Sequence, residues 1–86
     1  MSERDAIERQ IARLFLDSLH LEVPSAETDL LATGALDSMA FVELLVRLEE
    51  RFGIAISLDT VEIENFRSIQ AIAEFVLGRR RLRQMG

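Results

Sequence analysis

From Phe41 to Phe52 the apolar residues fall three and four positions apart, and this spacing constrains the possible fold more than any other feature of the chain. Phe41, Leu45, Leu48 and Phe52 form one stripe, widened by Val42 and Leu44. Two other segments repeat the spacing. Ile7, Ile11, Leu14, Phe15 and Ser18 follow it between Ser2 and Leu19, and Ile69, Ile72, Ala73 and Val76 follow it from Ser68 to about Leu77. Between them, Val61 and Ile63 allow either a short helical turn over Asp59 to Glu64 or alternating strand residues; the turn is the expectation. The expected fold is all-α, a small antiparallel four-helix bundle of three main helices and one short helix, with a long loop between helices 1 and 2.

Local signals place the helix ends. Ser2 suits an N-cap, with Asp5 three residues on, and Glu3, Asp5 and Glu8 suit the positive end of a helix dipole. Asp37 or Ser38 caps the helix that Gly53 closes, and Ser68 caps the last one. The loop from His20 to Asp37 holds the only proline, Pro24, the turn-forming run Ser25 to Asp29, and Gly34. So long a loop in so small a domain is uncommon unless it is functional or pinned to the core, and Leu21, Val23, Leu30, Leu31 and Leu36 are available to pin it.

Composition then removes whole classes of function. A chain of 86 residues fits one small domain with little room for a deep pocket. With no cysteine there is no disulfide, zinc knuckle or thiol catalysis, and a single histidine, His20, rules out a multi-histidine metal site. The N-terminus lacks the pattern of a signal peptide, and no apolar run approaches membrane-spanning length, so a cytoplasmic protein without membrane insertion is expected. All ten basic residues are arginine, and Arg79, Arg80, Arg81 and Arg83 lie in the last eight positions. Residues 1–78 hold six arginines against fifteen acids, a balance of −9. An acidic body repels nucleic acid and favours basic protein partners. The chain accordingly divides into a domain over 1–78 and a basic, flexible tail over 79–86 that frays from a solvated helix end.

Gly34-Ala35-Leu36-Asp37-Ser38-Met39 is the most informative segment. It places a serine where a long loop meets a helix, so that the hydroxyl is exposed and the unpaired N–H groups of the helix start favour negative charge. A phosphodiester on Ser38 suits that point. Gly34 lets the loop turn tightly or lets another protein approach the backbone. Asp-Ser is equally a common capping pair. The chain contains its own control, because Leu16-Asp17-Ser18-Leu19 is the same kind of tetrapeptide. It sits at the end of a helix with no helix beginning at Ser18, and Leu14 rather than glycine stands three residues before Asp17.

With these residues placed, the chain from about Ile7 to Val76 resembles the acyl carrier and peptidyl carrier protein family. The resemblance rests on the helix order, the long first loop and the Gly-x-x-Asp-Ser-hydrophobic motif. It also rests on Leu48-Glu49-Glu50-Arg51-Phe52-Gly53-Ile54 and Asn65-Phe66-Arg67-Ser68-Ile69. It implies a covalent 4′-phosphopantetheine on Ser38, moved there from coenzyme A by a phosphopantetheinyl transferase. The arm's thiol would carry an acyl or aminoacyl group as a thioester, which explains how a chain without cysteine handles thioesters. The carrier performs no chemistry itself. By the same resemblance Asp37 orients the serine and assists the transferase's metal-dependent step, with Met39 and Gly34 in support. A loading enzyme and a downstream synthase or transferase are the further partners, in a fatty-acid, polyketide or nonribosomal-peptide type of pathway, and the carrier is expected to be a freestanding monomer.

Two departures stand out. Met39 occupies a position where the family most often has leucine, a volume-conserving change. The family's second helix is often strongly acidic, but here Arg47 lies between Glu43 and Glu50 at helical spacing. Glu43 and Arg47 form either a solvated pair or part of a docking face, and Met39 and Val42 either add an apolar docking contact or belong to the core. Phe41, Phe52, Phe66 and Phe75 are assigned to the core. His20 has no cysteine to pair with and stands at a helix end, which suits capping or solvation better than catalysis. Two competing readings remain: an acidic helical adaptor that binds a protein without a prosthetic group, and a hydrolase using Ser38 and His20, for which no third group or Gly-x-Ser-x-Gly context exists.

Overall fold

The computed structural model describes residues 2–57, 59 and 61–85. All regular structure among them is helical: α1 spans Glu3–Ser18, α2 Ser38–Phe52 and α3 Ile69–Met85, with a 3-10 helix at Ile63–Phe66 before α3.

Capping chemistry sets the starts. Ser2 and Asp5 form a reciprocal capping box, the Asp5 N–H donating to Ser2 Oγ at 3.1 Å and the Ser2 N–H to Asp5 Oδ2 at 3.5 Å. Gly53 closes α2 in the left-handed region at φ 63°, where its N–H donates to the Glu49 carbonyl. Ser68 caps α3 by accepting from the Ala71 N–H at 3.1 Å.

Each helix turns an apolar face inward. Ile7, Ile11, Leu14 and Phe15 from α1 meet Leu44, Leu45 and Leu48 from α2 and Ile69, Ile72, Ala73 and Val76 from α3. Arg4 at the start of α1 reaches Glu74 at 3.1 Å, while Ile69 shares a groove with Glu8 and Ala12, so α1 and α3 run antiparallel. The 3-10 helix delivers Phe66, fully buried, between Phe41 and Phe75, with ring centroids 5.2 and 5.1 Å away.

Three expectations shift, and the reading of His20 is narrowed. The short helix lies at Ile63–Phe66 rather than Asp59 to Glu64, because Phe66 is the residue drawn into the core; Thr60, within the expected range, lies outside the described residues. α3 does not end near Leu77 but passes unbroken through Gly78 to Met85. Arginine is a strong helix former, so the basic segment continues the helix, and one glycine is not enough to stop it. Phe41, Phe52 and Phe75 are half-buried against the core, and only Phe66 of those four is wholly enclosed. His20 is exposed, the solvated alternative of its reading, and takes φ 56°, turning the chain out of α1.

The long loop is pinned. Leu30 and Leu36 are buried, and Leu21, Val23 and Leu31 pack against the core. Backbone bonds stitch it to the approach to α3: Leu30 N–H to the Arg67 carbonyl at 2.7 Å, and Gln70 N–H to the Ala26 carbonyl at 2.9 Å. Asp29 accepts from the N–H groups of Leu31 and Ala32 and faces Arg67 at 3.5 Å.

Candidate functional site

The end of this loop is built to present one residue. Gly34 has φ 74°, a conformation costly for any residue with a Cβ, although no atom would crowd one there. Its N–H bonds the Leu31 carbonyl, and the Leu36 N–H then bonds the Leu30 carbonyl. With Leu30 and Leu36 anchored in the core, the chain emerges at Asp37 in an extended conformation, φ −89° and ψ −176°. Asp37 is the N-cap: its Oδ1 accepts from the Ala40 N–H at 2.8 Å, and its carbonyl accepts from the Phe41 N–H at 2.8 Å.

Because Asp37 does the capping, Ser38 is released from it. Ser38 is exposed in the first turn, and its hydroxyl has no hydrogen-bond partner among the described residues. The N–H groups of Ser38 and Met39 are likewise unused, and the first turn of α2 carries no acid. These groups and the helix dipole stabilise an anion covalently held on Ser38 Oγ, so the residues present fit a phosphodiester-linked group. His20 is not among the residues that line the groove starting at Ser38, so the structure does not bring the two together.

That groove runs along the outer face of α2 and is lined by Ser38, Met39, Val42, Glu43, Val46, Arg47 and Glu50. Met39 is 83% exposed, Val42 50% and Val46 45%, which excludes a core role for all three. Arg47 closes the charges of the face, 3.2 Å from Glu43 and 3.9 Å from Glu50. The structure therefore brings Ser38, Met39, Val42, Glu43 and Arg47 onto one surface, with Asp37 and Gly34 behind them as its support. Glu50 stands on this face as its spacing from Glu43 and Arg47 predicts, and Val46 was missed; its step of four from Val42 was the available signal.

A helical bundle that leaves a serine unengaged at a capped helix start can accept a group there and display it. Comparison with known proteins agrees. Residues 9–76 match the family model described as a phosphopantetheine attachment site. The chain is also 32% identical over 77 residues to the D-alanyl carrier protein of Streptococcus suis (strain 98HAH33), covering 90% of this chain and 94% of the relative. The chain belongs to the family of phosphopantetheine-bearing carrier proteins. It is a carrier and not an enzyme, and its cofactor is covalent 4′-phosphopantetheine. This sets aside both the adaptor without a prosthetic group and the serine hydrolase.

Proposed function

We propose that Ser38 is the residue that bears the arm, and that this chain holds an acyl or aminoacyl group on it for delivery to partner enzymes. The observation that carries the reading is the free hydroxyl of Ser38 at a helix start already capped by Asp37. When bound, the arm supplies a terminal thiol on which cargo rides as a thioester. The chain's own residues do the rest. Asp37 holds the first turn in place and keeps its second carboxylate oxygen available to the phosphopantetheinyl transferase. The N–H groups of Ser38 and Met39 stabilise the phosphodiester. Met39, Val42, Glu43 and Arg47 form the face on which the transferase, a loading enzyme and a downstream synthase or transferase seat in turn. The likeness to a D-alanyl carrier supports an aminoacyl cargo among the fatty-acid, polyketide and nonribosomal-peptide types of pathway. The carrier works as a monomer in the cytoplasm.

The test is direct. The purified chain is incubated with coenzyme A and a broad-specificity transferase, and intact mass is measured beside a competent control carrier. One phosphopantetheine adduct is expected; none would sink the reading. Trapping the loaded thioester from the native host and weighing it identifies the cargo.

A further inference from the structure

We propose that the arginine-bearing end of α3 is a second docking surface, and that it engages an acidic patch on the enzymes that act at Ser38. The proposal rests on Ser38 as the attachment point. It starts from where charge is left open. On the α2 face Arg47 is shared between Glu43 and Glu50, so that face offers a partner little net charge. Arg4 pairs with Glu8 and Glu74, Arg13 with Asp17, and Arg67 with Asp29 and Glu64. Arg9 and Arg51 have no ion-pair partner among the described residues, but Glu8 and Glu50 stand beside them in sequence. Arg79, Arg80 and Arg81 also have no such partner, and no acid follows Glu74 in the chain.

Two features turn these arginines into a surface. They stand on a continuous helix that runs to Met85, and Arg79 is held over the Phe75 ring at 5.0 Å. Phe75 packs on Phe66 and Phe66 on Phe41, in steps of 5.1 and 5.2 Å. Phe41 lies one turn from Ser38, so a single aromatic cluster joins the Ser38 turn to the basic end. An enzyme seated over Ser38 meets these arginines beside an otherwise acidic body. Charge complementarity then selects acids on that enzyme, and such charges act most on the rate and register of encounter. An anionic bilayer is the poorer fit, because its charge extends past the arginines over the −9 body, whereas an acidic patch on an enzyme is confined to them.

The experiment uses the full chain, nitrogen-15 labelled, with a decaglutamate peptide as the probe and arginine Nε–Hε signals as the readout. At about 0.02 M ionic strength the peptide is expected to shift Arg79, Arg80 and Arg81 first, and the effect is expected to fade by about 0.15 M. The triple variant R79Q/R80Q/R81Q is expected to bind about tenfold more weakly, while Arg13→Gln binds as the parent does. Far-UV circular dichroism confirms that α3 is kept; if the triple variant unwinds it, Arg80→Glu alone is expected to weaken binding. Equal shifts at Arg9, Arg13 and Arg51, or unchanged binding by the variant, would overturn the proposal. So would binding to phosphatidylglycerol vesicles without binding to the peptide. The mass of the arm adduct on the parent chain is measured separately, so a failure at Ser38 is told apart from a failure at α3.

Discussion

The chain contains Asp-Ser followed by an apolar residue twice, and the two copies do opposite things. Asp37-Ser38 begins a helix; Asp17-Ser18 ends one. Asp37 accepts from a backbone N–H of its own first turn, whereas Asp17 turns outward to Arg13 at 3.4 Å. Ser38 is exposed at the positive end of α2, and Ser18 is half-buried at the negative end of α1. A phosphodiester is stabilised by free N–H groups at the first site and faces free carbonyls at the second. On the proposed function, helix polarity is what separates the two copies of the motif, and the loop that ends at Asp37 is what places Ser38 at the positive end of α2.

The sharpest way to break the comparison is to delete each serine. Ser38→Ala is expected to lose the phosphopantetheine adduct completely, and Ser18→Ala to keep it, both read by intact mass after incubation with coenzyme A and a transferase. An adduct surviving in Ser38→Ala, or lost in Ser18→Ala, would reverse the assignment.

The next largest effect separates presentation from stability. Leu36→Ala empties a core position one residue before Asp37, and Leu14→Ala does the same near Asp17; they are 6% and 7% exposed. Each is expected to cost about 2–5 kcal/mol in urea unfolding. Measured where both remain folded, only Leu36→Ala is expected to slow arm transfer, because only it loosens the junction that holds out Ser38. Equal transfer rates would show that the buried anchor has no part in presentation.

The helix patterns were legible because their evidence is local. The α2 stripe with Gly53 after it, and Ser2 with Asp5, state their structure within a few residues. The candidate site was legible for the same reason, since a loop, a cap and an amphipathic helix meet at Ser38. What escaped depended on distant packing. Whether Val42 faced in or out hung on which side of α2 met α1 and α3, and Leu44 and Leu45 took the core. The 3-10 helix sits where Phe66 is wanted by Phe41 and Phe75, two rings far away in sequence. The end of α3 escaped for a local reason instead: the segment after Gly78 is rich in arginine, a strong helix former, and the helix continues through it.

Asp37 carries two roles that substitution can part. Asp37→Ala removes the cap on α2 and is expected to cost about 1 kcal/mol. Asparagine caps as well as aspartate, so Asp37→Asn is expected to unfold at the urea concentration of the parent. If the carboxylate also serves the transferase, Asp37→Asn nevertheless slows arm transfer. Parent-like transfer by Asp37→Asn would reduce Asp37 to a cap alone.

The smallest effect is expected at Asp17, and its smallness is the point. The Arg13–Asp17 pair is exposed and worth about 0.3–0.5 kcal/mol. Against it, a carboxylate in the last turn of α1 faces the negative end of the dipole, a cost of about 0.3–1 kcal/mol. Asp17→Asn removes both terms, so the stability change is expected to be near zero, and nearer still at higher salt, where both are screened. Urea midpoints for Asp17→Asn and Asp37→Ala at two ionic strengths provide the measurement. A loss at Asp17 as large as that of Asp37→Ala would mean that Asp17 anchors α1 as firmly as Asp37 anchors α2. Helix polarity would then no longer be what tells the two Asp-Ser pairs apart.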